Sequence, residues 1–227
     1  KEIYLIKNDE KEKILLENYD ININNLSFSY DGYNKILKNI NLCIKEKEKI
    51  VVIGPSGSGK STLFKLINKN YEVDNKKIFV GGIDVNSFNT KSHISYVSQE
   101  ESIFNETLYN NLSLNKNIKE KDIAKASKLT GLDKVIKRKK ISYNTIIEED
   151  GINFSKGEKQ LIILTRTLLM NSKILILDEA INAVEENEEY IILKRLLEKY
   201  NDKTIIYITH RKNCVQLFDR ILDIKKI

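Results

Sequence analysis

The chain has 227 residues, of which 41% are hydrophobic and 31% charged, a balance that predicts one soluble, globular domain and excludes a disordered chain. No apolar run approaches the ~18 residues of a membrane-spanning helix, and two cysteines without metal-binding spacing are too few for a disulfide framework. The net charge of +6 allows an anionic partner, but the lysines are interleaved with glutamates along most of the chain.

Residues 1–18 are charged and weakly patterned, and they predict a linker or a trimmed upstream segment. Period-two alternation and short apolar runs then predict strands, at 21–30, 36–44, 49–53, 78–80, 92–98, 174–177, 204–209 and 220–224. Helical periodicity predicts helices at 60–69 and 186–200, and it dominates the segment 101–170, as in the series Ile123, Ala126, Leu129 and Leu132.

Strands that alternate with helices predict an α/β fold with a mainly parallel sheet. The helical stretch in the middle of the chain predicts an inserted subdomain. The densest basic cluster of the chain, Lys137-Arg138-Lys139-Lys140, falls in this stretch. We interpret the cluster as a solvated helix end, in preference to a contact for phosphate or lipid headgroups.

Residues 54–61, Gly-Pro-Ser-Gly-Ser-Gly-Lys-Ser, fit the phosphate-binding loop pattern G-x-x-x-x-G-K-[ST]. They follow an apolar strand and open a helix, so backbone N–H groups and a helix N-terminus would both face an anion. Lys60 would reach the β- and γ-phosphates, and the Ser61 hydroxyl would ligate Mg²⁺. The alternative is a glycine- and serine-rich loop with a chance lysine, which the flanking strand and helix disfavour. The sequence therefore predicts a site for a nucleoside triphosphate.

A second element, Lys173-Ile-Leu-Ile-Leu-Asp178-Glu179, is an apolar strand that ends in two acids and has the form of a Walker B element. Asp178 would hold Mg²⁺ through water, and Glu179 could polarise the attacking water as a general base. A strand followed by Asp-Glu is a weak signal by itself. Together with a phosphate loop at this separation it is a strong one.

From about residue 21 to its end, the chain resembles the ATP-binding domain of an ABC transporter of the exporter type. Leu26-Ser-Phe-Ser-Tyr30 resembles the family's aromatic loop, which implies that Tyr30 stacks on adenine; a tyrosine at a strand edge is the alternative. Tyr96-Val-Ser-Gln99 resembles the Q-loop, which implies that Gln99 contacts Mg²⁺ and the attacking water. Ile208-Thr209-His210-Arg211 resembles the switch loop, which implies that His210 hydrogen-bonds the γ-phosphate.

Two further segments resemble exporters in particular. Phe104, Thr107 and Asn111-Leu112 stand at the spacing at which a Phe, a Thr and an Asn-Ile recur in exporters. Residues 145–151 resemble the exporter segment just before the signature, with Glu149 at its acidic position.

The signature itself departs from the family's Leu-Ser-Gly-Gly-Gln and reads Phe154-Ser155-Lys156-Gly157-Glu158. The resemblance implies that the Ser155 hydroxyl and the Gly157 N–H meet the γ-phosphate of ATP held by another subunit. The family's D-loop, Ser-x-Leu-Asp, is here Asn182-Ala183-Val184-Glu185. Both altered loops would act across a dimer interface. The chain could pair with a different subunit that carries a consensus signature, but we favour a homodimer that tolerates Lys156.

The resemblance implies an ATPase whose cofactors are ATP and Mg²⁺. It implies a P-loop NTPase core at about 19–99 and 165–227, an N-terminal antiparallel β part, and a helical subdomain at about 100–164, with 1–18 leading from an absent membrane domain. Implied partners are a second such domain and a transmembrane domain, at the cytoplasmic face of a membrane and without nucleic acid. The implied site comprises the catalytic Glu179, His210, Gln99 and Lys60; the ATP-binding Tyr30, Gly54, Pro55, Ser56, Gly57, Ser58, Gly59, Lys60, Ser61 and Thr62; the signature Ser155, Lys156, Gly157 and Glu158; and the Mg²⁺ ligands Ser61, Gln99 and Asp178.

Three other functions are weighed against this one. Soluble ABC ATPases that act on DNA need a long coiled coil, for which the interval from Ser61 to Lys156 leaves no room, and ribosome-acting types carry two such domains. The Thr107 and Glu149 segments disfavour an importer subunit. Glu179 and His210 disfavour a regulatory module that does not hydrolyse its nucleotide, although the altered signature keeps that alternative open. Peptides, lipids and drugs are all possible exported substrates.

Overall fold

The computed structural model describes residues 16–98 and 101–224. Its strands are β1 (Ile21–Phe28), β2 (Leu37–Ile44), β3 (Lys49–Ile53), β4 (Ile78–Val80), β5 (Ile83–Asp84), β6 (Ile94–Val97), β7 (Ile174–Asp178), β8 (Thr204–Ile208) and β9 (Arg220–Asp223). Its α-helices are α1 (Lys60–Ile67), α2 (Leu108–Ser113), α3 (Glu120–Thr130), α4 (Leu132–Lys139), α5 (Lys156–Leu169) and α6 (Glu186–Lys199). Short 3₁₀ turns lie at Val85–Ser87, Thr90–Ser92, Glu149–Gly151 and Val215–Leu217.

The strands form two sheets. One is antiparallel, with the order β2-β1-β4-β5. The other is parallel, with the order β6-β7-β8-β3-β9. The predicted α/β fold with a mainly parallel sheet, an antiparallel β part and intervening helices is confirmed. β5 was not predicted, because two residues after a glycine turn are too few to show periodicity.

The first strand ends earlier than predicted, at Phe28. The loop that follows is organised by Asp31, whose carboxylate accepts hydrogen bonds from the Asn34 and Tyr33 N–H groups and from the Ser29 hydroxyl. These bonds, the Asn34 N–H first among them, hold the pKa of Asp31 well below its ordinary value. Such side-chain to backbone bonds compete with a strand ladder, so the chain turns here.

The two faces of the parallel sheet bury different parts of the chain. Every residue of β7 and β8 is buried, as expected for central parallel strands. Alternate side chains such as Ile176 and Ile206 pack with the antiparallel sheet and α1. The intervening Leu175, Leu177 and Ile205 pack with the helices, including α3, α5 and α6. The parallel sheet is therefore the middle layer of the molecule.

Helix α5 is the centre of the helical segment and contacts α2, α3 and α4. Its Arg166 donates to the carbonyl of the buried Asn111 at 2.7 Å, and the Asn111 side chain bonds the Phe104 backbone through both of its amide atoms. Thr107 caps α2 by accepting the Asn110 N–H at 3.1 Å. Phe104, Thr107 and Asn111, which resemble exporter residues, thus stabilise the start of the helical segment.

Residues 1–15 of the predicted linker lie outside the described residues. Within the described part, Leu16 is buried, and a Cβ at Gly81 would come within 2.4 Å of the Asn18 carbonyl, so residues 16–18 pack closely on the antiparallel sheet. The boundaries at 18 and about 100 and 164 stay predictions. Across the described ranges, no helix has the length and apolar character that crossing a bilayer requires.

Candidate functional site

Three segments meet at one edge of the parallel sheet because their strands are neighbours. β3, β8 and β7 lie side by side and parallel, so their carboxyl ends share an edge. The loop after β3 is the phosphate loop, the residues after β8 are Thr209 and His210, and β7 ends at Asp178 before Glu179. Residues 54–62 together with Asp178, Glu179 and His210 are called the phosphate edge below.

The phosphate loop has the conformation that its glycines permit. Gly59 precedes α1 with a φ of 88°, and a Cβ there would lie 2.7 Å from the Leu37 side chain. The buried Lys60 folds back and donates to the Gly54 and Pro55 carbonyls, at 2.8 Å each. The Ser58 hydroxyl is buried and has no hydrogen-bond partner within the described part of the chain. A curled loop with a cation and an unused hydroxyl fits a phosphate group.

Tyr30 lies two residues beyond the end of β1, in the loop rather than on the strand edge. Its hydroxyl is 2.9 Å from the Thr62 Oγ1 in the first turn of α1, which places the tyrosine beside the phosphate loop. Its ring packs edge-on against Phe28 and Tyr71, with centroids 5.1 Å apart in both pairs, and 51% of the residue is exposed. Tyr71 was not singled out from the sequence, because no local pattern links it to Tyr30.

Asp178 is buried at the end of β7 and accepts a hydrogen bond from the Tyr96 hydroxyl on the neighbouring strand β6. Burial and the Asp178 carboxylate raise the pKa of Tyr96 well above its ordinary value, so the phenol stays a donor. In the described ranges there is no cluster of three or more His, Cys, Asp or Glu able to hold a metal. One carboxylate with the Ser61 hydroxyl suits Mg²⁺, which commonly completes its shell with phosphates and water.

Each carboxylate oxygen of Glu179 has a neighbouring side chain. The His210 Nδ1 lies 3.5 Å from Oε1, and the Asn182 side-chain amide donates to Oε2 at 3.0 Å. Its backbone has a φ of 50°, in the left-handed region, and its N–H donates to the Ile208 carbonyl. A non-glycine residue in this conformation at a functional edge is a sign of local strain. Gln99 lies outside the described residues, so its position beside this group stays a prediction.

The signature segment starts α5 with a capping box. The Ser155 hydroxyl accepts the Glu158 N–H at 3.2 Å, and the Glu158 carboxylate accepts the Ser155 N–H at 2.8 Å. Ser155 and Lys156 are exposed. A Cβ at Gly157 would lie 2.9 Å from the Ala183 carbonyl, so only glycine fits between α5 and residues 182–185. Residues 155–158 together with 182–185 are called the signature face below.

The basic cluster lies at the carboxyl end of α4 with three of its four side chains exposed, as predicted, and two of its cations also pair with the signature segment. Arg138 pairs with Glu158 at 2.5 Å, and Lys139 pairs with it at 3.3 Å and donates to the Asn153 carbonyl at 2.9 Å. Burial opposes ionisation of Glu158, but the Ser155 N–H, Arg138 and Lys139 outweigh it and lower its pKa. Two cations of α4 therefore compensate a signature glutamate that the family pattern lacks.

Residues 182–185 are fixed by Arg211, which directly follows His210. Its guanidinium donates to the carbonyls of Asn182 and Val184, the latter at 3.0 Å, and pairs with the buried Glu189 of α6. Glu189 also accepts from the Tyr207 hydroxyl. The sequence predicts Arg211 only as part of the switch loop. An arginine beside a histidine gives no hint of which carbonyls it will reach.

Phosphate loop, Walker acids and a histidine at one edge of a parallel sheet define a P-loop nucleotide-binding domain. The family model described as "ABC transporter" matches residues 37–182. The lactococcin-A transport/processing ATP-binding protein of Lactococcus lactis is 38% identical over 97% of this chain, and the alpha-hemolysin translocation ATP-binding protein of Escherichia coli is 36% identical over 92%. A bacterial Atm1-family ABC exporter solved with ATP bound superposes with a TM-score of 0.88 and 27% identity, covering 95% of this chain and 38% of that one.

The chain therefore belongs to the ABC transporter family and is an ATP-binding domain of it, as the resemblance predicted. The ATP-binding domains of this family are ATPases, and the predicted fold, ATP binding and enzyme class are confirmed at that level. The chain spans about a third of the length of these curated relatives, 32% and 30% respectively.

Proposed function

We propose that this chain is the motor domain of a membrane exporter, in which ATP binding closes two such domains on each other and hydrolysis opens them. One observation carries the proposal. A single sheet edge collects Lys60, Asp178, Glu179 and His210, while the kept signature groups Ser155 and Gly157 stand at the start of α5, and no hydrogen bond among the described residues joins them to those four side chains. A site divided in this way is completed by a second domain.

In this proposal the phosphate edge handles the nucleotide that the chain binds itself. Tyr30 stacks on adenine, the N–H groups of 54–62 and Lys60 hold the phosphates, and Ser61, Gln99 and Asp178 hold Mg²⁺. The metal, when bound, would neutralise charge on the phosphate oxygens. Glu179 takes the proton of the attacking water, and His210 donates to the γ-phosphate.

The signature face handles the nucleotide of the opposing domain. An open cleft of about 230 Å³ is lined by Ser155, Gly157, Ala183 and Glu185, and in this proposal it receives a phosphate presented from outside. We propose a homodimer. The pairing of Arg138 with Glu158 within one chain supports this choice. It neutralises the charge that the altered signature introduces, without a contribution from a different subunit.

The other partner in the proposal is a transmembrane domain, which places the chain at the cytoplasmic face of a membrane. Two relatives are named for transport of lactococcin-A and translocation of alpha-hemolysin, so a polypeptide is the first substrate class to test, ahead of lipids and drugs.

The test uses Glu179→Gln, which removes the proposed base and keeps the shape of the site. The variant is run on size exclusion with and without ATP–Mg²⁺, and wild-type ATPase activity is measured in parallel. We expect ATP-dependent dimers of the variant and hydrolysis by the wild type.

Two outcomes would overturn parts of the proposal. A wild type that binds ATP without hydrolysing it contradicts the motor function and favours the regulatory module. A variant that binds ATP yet stays monomeric contradicts the self-complementary homodimer and points to a different subunit, or to a membrane domain that raises the local concentration.

A further inference from the structure

The family's D-loop begins with serine, whereas this chain has Asn182 at that position. Asparagine carries a donor and an acceptor at the end of a longer side chain. Here both are used: the amide nitrogen donates to the Glu179 Oε2 at 3.0 Å, and the amide oxygen accepts from the Gln160 side chain at 2.7 Å.

The orientation of these amides is determined by the backbone. The Ala183 N–H can only donate, and it donates to the Gln160 Oε1 at 2.8 Å. The Gln160 amide nitrogen must therefore face Asn182, which presents its oxygen to it. The Asn182 amide nitrogen is thereby turned toward Glu179. Gln160 is only 4% exposed, so water offers no substitute partner.

The loop that carries Asn182 is anchored independently of this network. Arg211 binds the Asn182 and Val184 carbonyls while pairing with the buried Glu189. Glu179 is in turn fixed by its left-handed backbone and by its N–H bond to Ile208. The donor Asn182 and the acceptor Glu179 therefore both lie on constrained backbone, so the hydrogen bond between their side chains has little freedom to shift.

We propose that Asn182 is a positioning residue that orients the Glu179 carboxylate for the attacking water, and that Gln160 fixes the Asn182 amide in its productive orientation. Asn182 holds Oε2, so Oε1 is directed toward His210, at 3.5 Å. The inference rests on the proposed function, since it concerns the step in which Glu179 takes a proton. A base restricted to one rotamer reaches its near-attack position more often than a free one.

The experiment compares Asn182→Asp and Gln160→Glu with the wild-type chain and with Asn201→Asp. The Asn182→Asp variant keeps an acceptor for Gln160 but loses the donor to Glu179. The Gln160→Glu variant keeps an acceptor for the Ala183 N–H, but its second carboxylate oxygen would reverse the Asn182 amide and turn the amide oxygen toward Glu179. Asn201 lies in an exposed turn after α6, so its variant controls for the added charge.

For each variant, steady-state ATP hydrolysis, equilibrium binding of a fluorescent ATP analogue and thermal unfolding are measured. We expect kcat to fall about tenfold or more in Asn182→Asp, and somewhat less in Gln160→Glu, because orientation of the base is lost. KM and nucleotide affinity should stay within about twofold, since neither residue lies in the phosphate loop. Asn182→Ser, which introduces the family residue, should keep a higher kcat than Asn182→Asp, because a hydroxyl can still donate a hydrogen bond.

The inference is overturned if a folded Asn182→Asp variant keeps kcat within about twofold of a hydrolysing wild type, or if both variants lose kcat only in proportion to folded protein. Should Asn182→Asp not fold, the kcat of Gln160→Glu decides by the same criterion, because among the described contacts its side chain reaches the Glu179 carboxylate through Asn182 and otherwise touches only the Glu179 backbone carbonyl, at 3.5 Å. A wild type without ATPase activity would instead refute the proposed function, so the two failures are told apart by the wild-type rate.

Discussion

The phosphate edge and the signature face are organised in opposite ways. At the phosphate edge, Lys60 bonds only carbonyls of its own loop among the described contacts, the Ser58 hydroxyl has no partner there, and 59% of the His210 side chain is exposed. At the signature face, Ser155 and Glu158 cap each other, Arg138 and Lys139 neutralise Glu158, and Gly157 packs on Ala183.

The difference shows where this chain can tolerate sequence change. The phosphate edge keeps the Ser58 hydroxyl and much of the His210 side chain available for a ligand, so we expect its family residues to be required. The signature face is built largely from contacts within the chain, so a changed residue can be compensated by another part of the same fold. Glu158 with Arg138 and Lys139 is one such compensation, and Asn182 with Gln160 is another.

The largest effect is expected at Lys60. Lys60→Met should reduce ATP affinity and hydrolysis about 100-fold or more, because the variant removes a buried cation that the proposed function places against the phosphates and that also holds the Gly54 and Pro55 carbonyls. Fluorescent-nucleotide binding and ATPase assays measure this. Lys65→Met, on the same helix, is the matched control. Wild-type affinity in Lys60→Met would show that the loop is not the nucleotide site.

The next effect concerns packing on the signature face. Gly157→Ala should lower the free energy of unfolding by about 1–2 kcal/mol, because its Cβ would lie 2.9 Å from the Ala183 carbonyl and displace residues 182–185. Urea unfolding measures the loss, and Lys156→Ala, at the exposed preceding position, serves as the control. If Gly157→Ala is as stable as its control, residues 182–185 can shift to accept a methyl group at position 157, and the predicted steric cost is wrong.

A smaller effect, dependent on pH, is expected for Glu158→Gln. The glutamine can still cap Ser155, but Arg138 and Lys139 lose their counter-charge, at a cost of about 1 kcal/mol at pH 7. Because the pKa of Glu158 is lowered from 4.5, its contribution is present above that pH and lost as the pH falls through the folded value.

The stabilities of wild type and Glu158→Gln should therefore converge on acidification below pH 4.5, as measured by urea unfolding across a pH series. A constant difference at all pH values would mean that the charge of Glu158 has no part in the stability of the signature face.

The smallest effect is expected for Lys156→Gly, which restores the family residue. Lys156 is exposed at the first position of α5, and its ammonium gains nothing from the helix dipole there. ATPase activity should change by less than about threefold, because Ser155 and Gly157 carry the contacts that the proposal needs. A rise of about tenfold or more would identify Lys156 as the origin of a degenerate site.

Much of the fold followed from local pattern. The strands with apolar runs or alternation were placed to within a few residues, since burial on one or both faces imposes a period that survives in sequence. β5 and the early end of β1 were not predicted, because two residues carry no period and Asp31 ends the strand through its own side chain.

The site also contains residues that a local sequence pattern predicts and residues that no local pattern predicts. Residues 54–61 and Asp178-Glu179 are contiguous motifs whose chemistry depends on chain-local geometry, so the sequence predicts them as site residues from their spacing. The partners that lie far away in sequence were not identified. Tyr96 on Asp178, Gln160 on Asn182 and Arg138 on Glu158 are pairs that only the fold creates.

The sequence by itself determined a nucleotide-binding site, because phosphate binding needs glycines, a lysine and acids at fixed local positions, and its resemblance to ABC ATP-binding domains predicted which residues carry the family's chemistry. Only the tertiary structure decided how the departures from the family are accommodated. Side chains far apart in sequence meet where β7 and β8 end and where α4 and α5 pack, and hydrogen-bond direction, set by backbone donors such as the Ala183 N–H, then fixes the role of each amide.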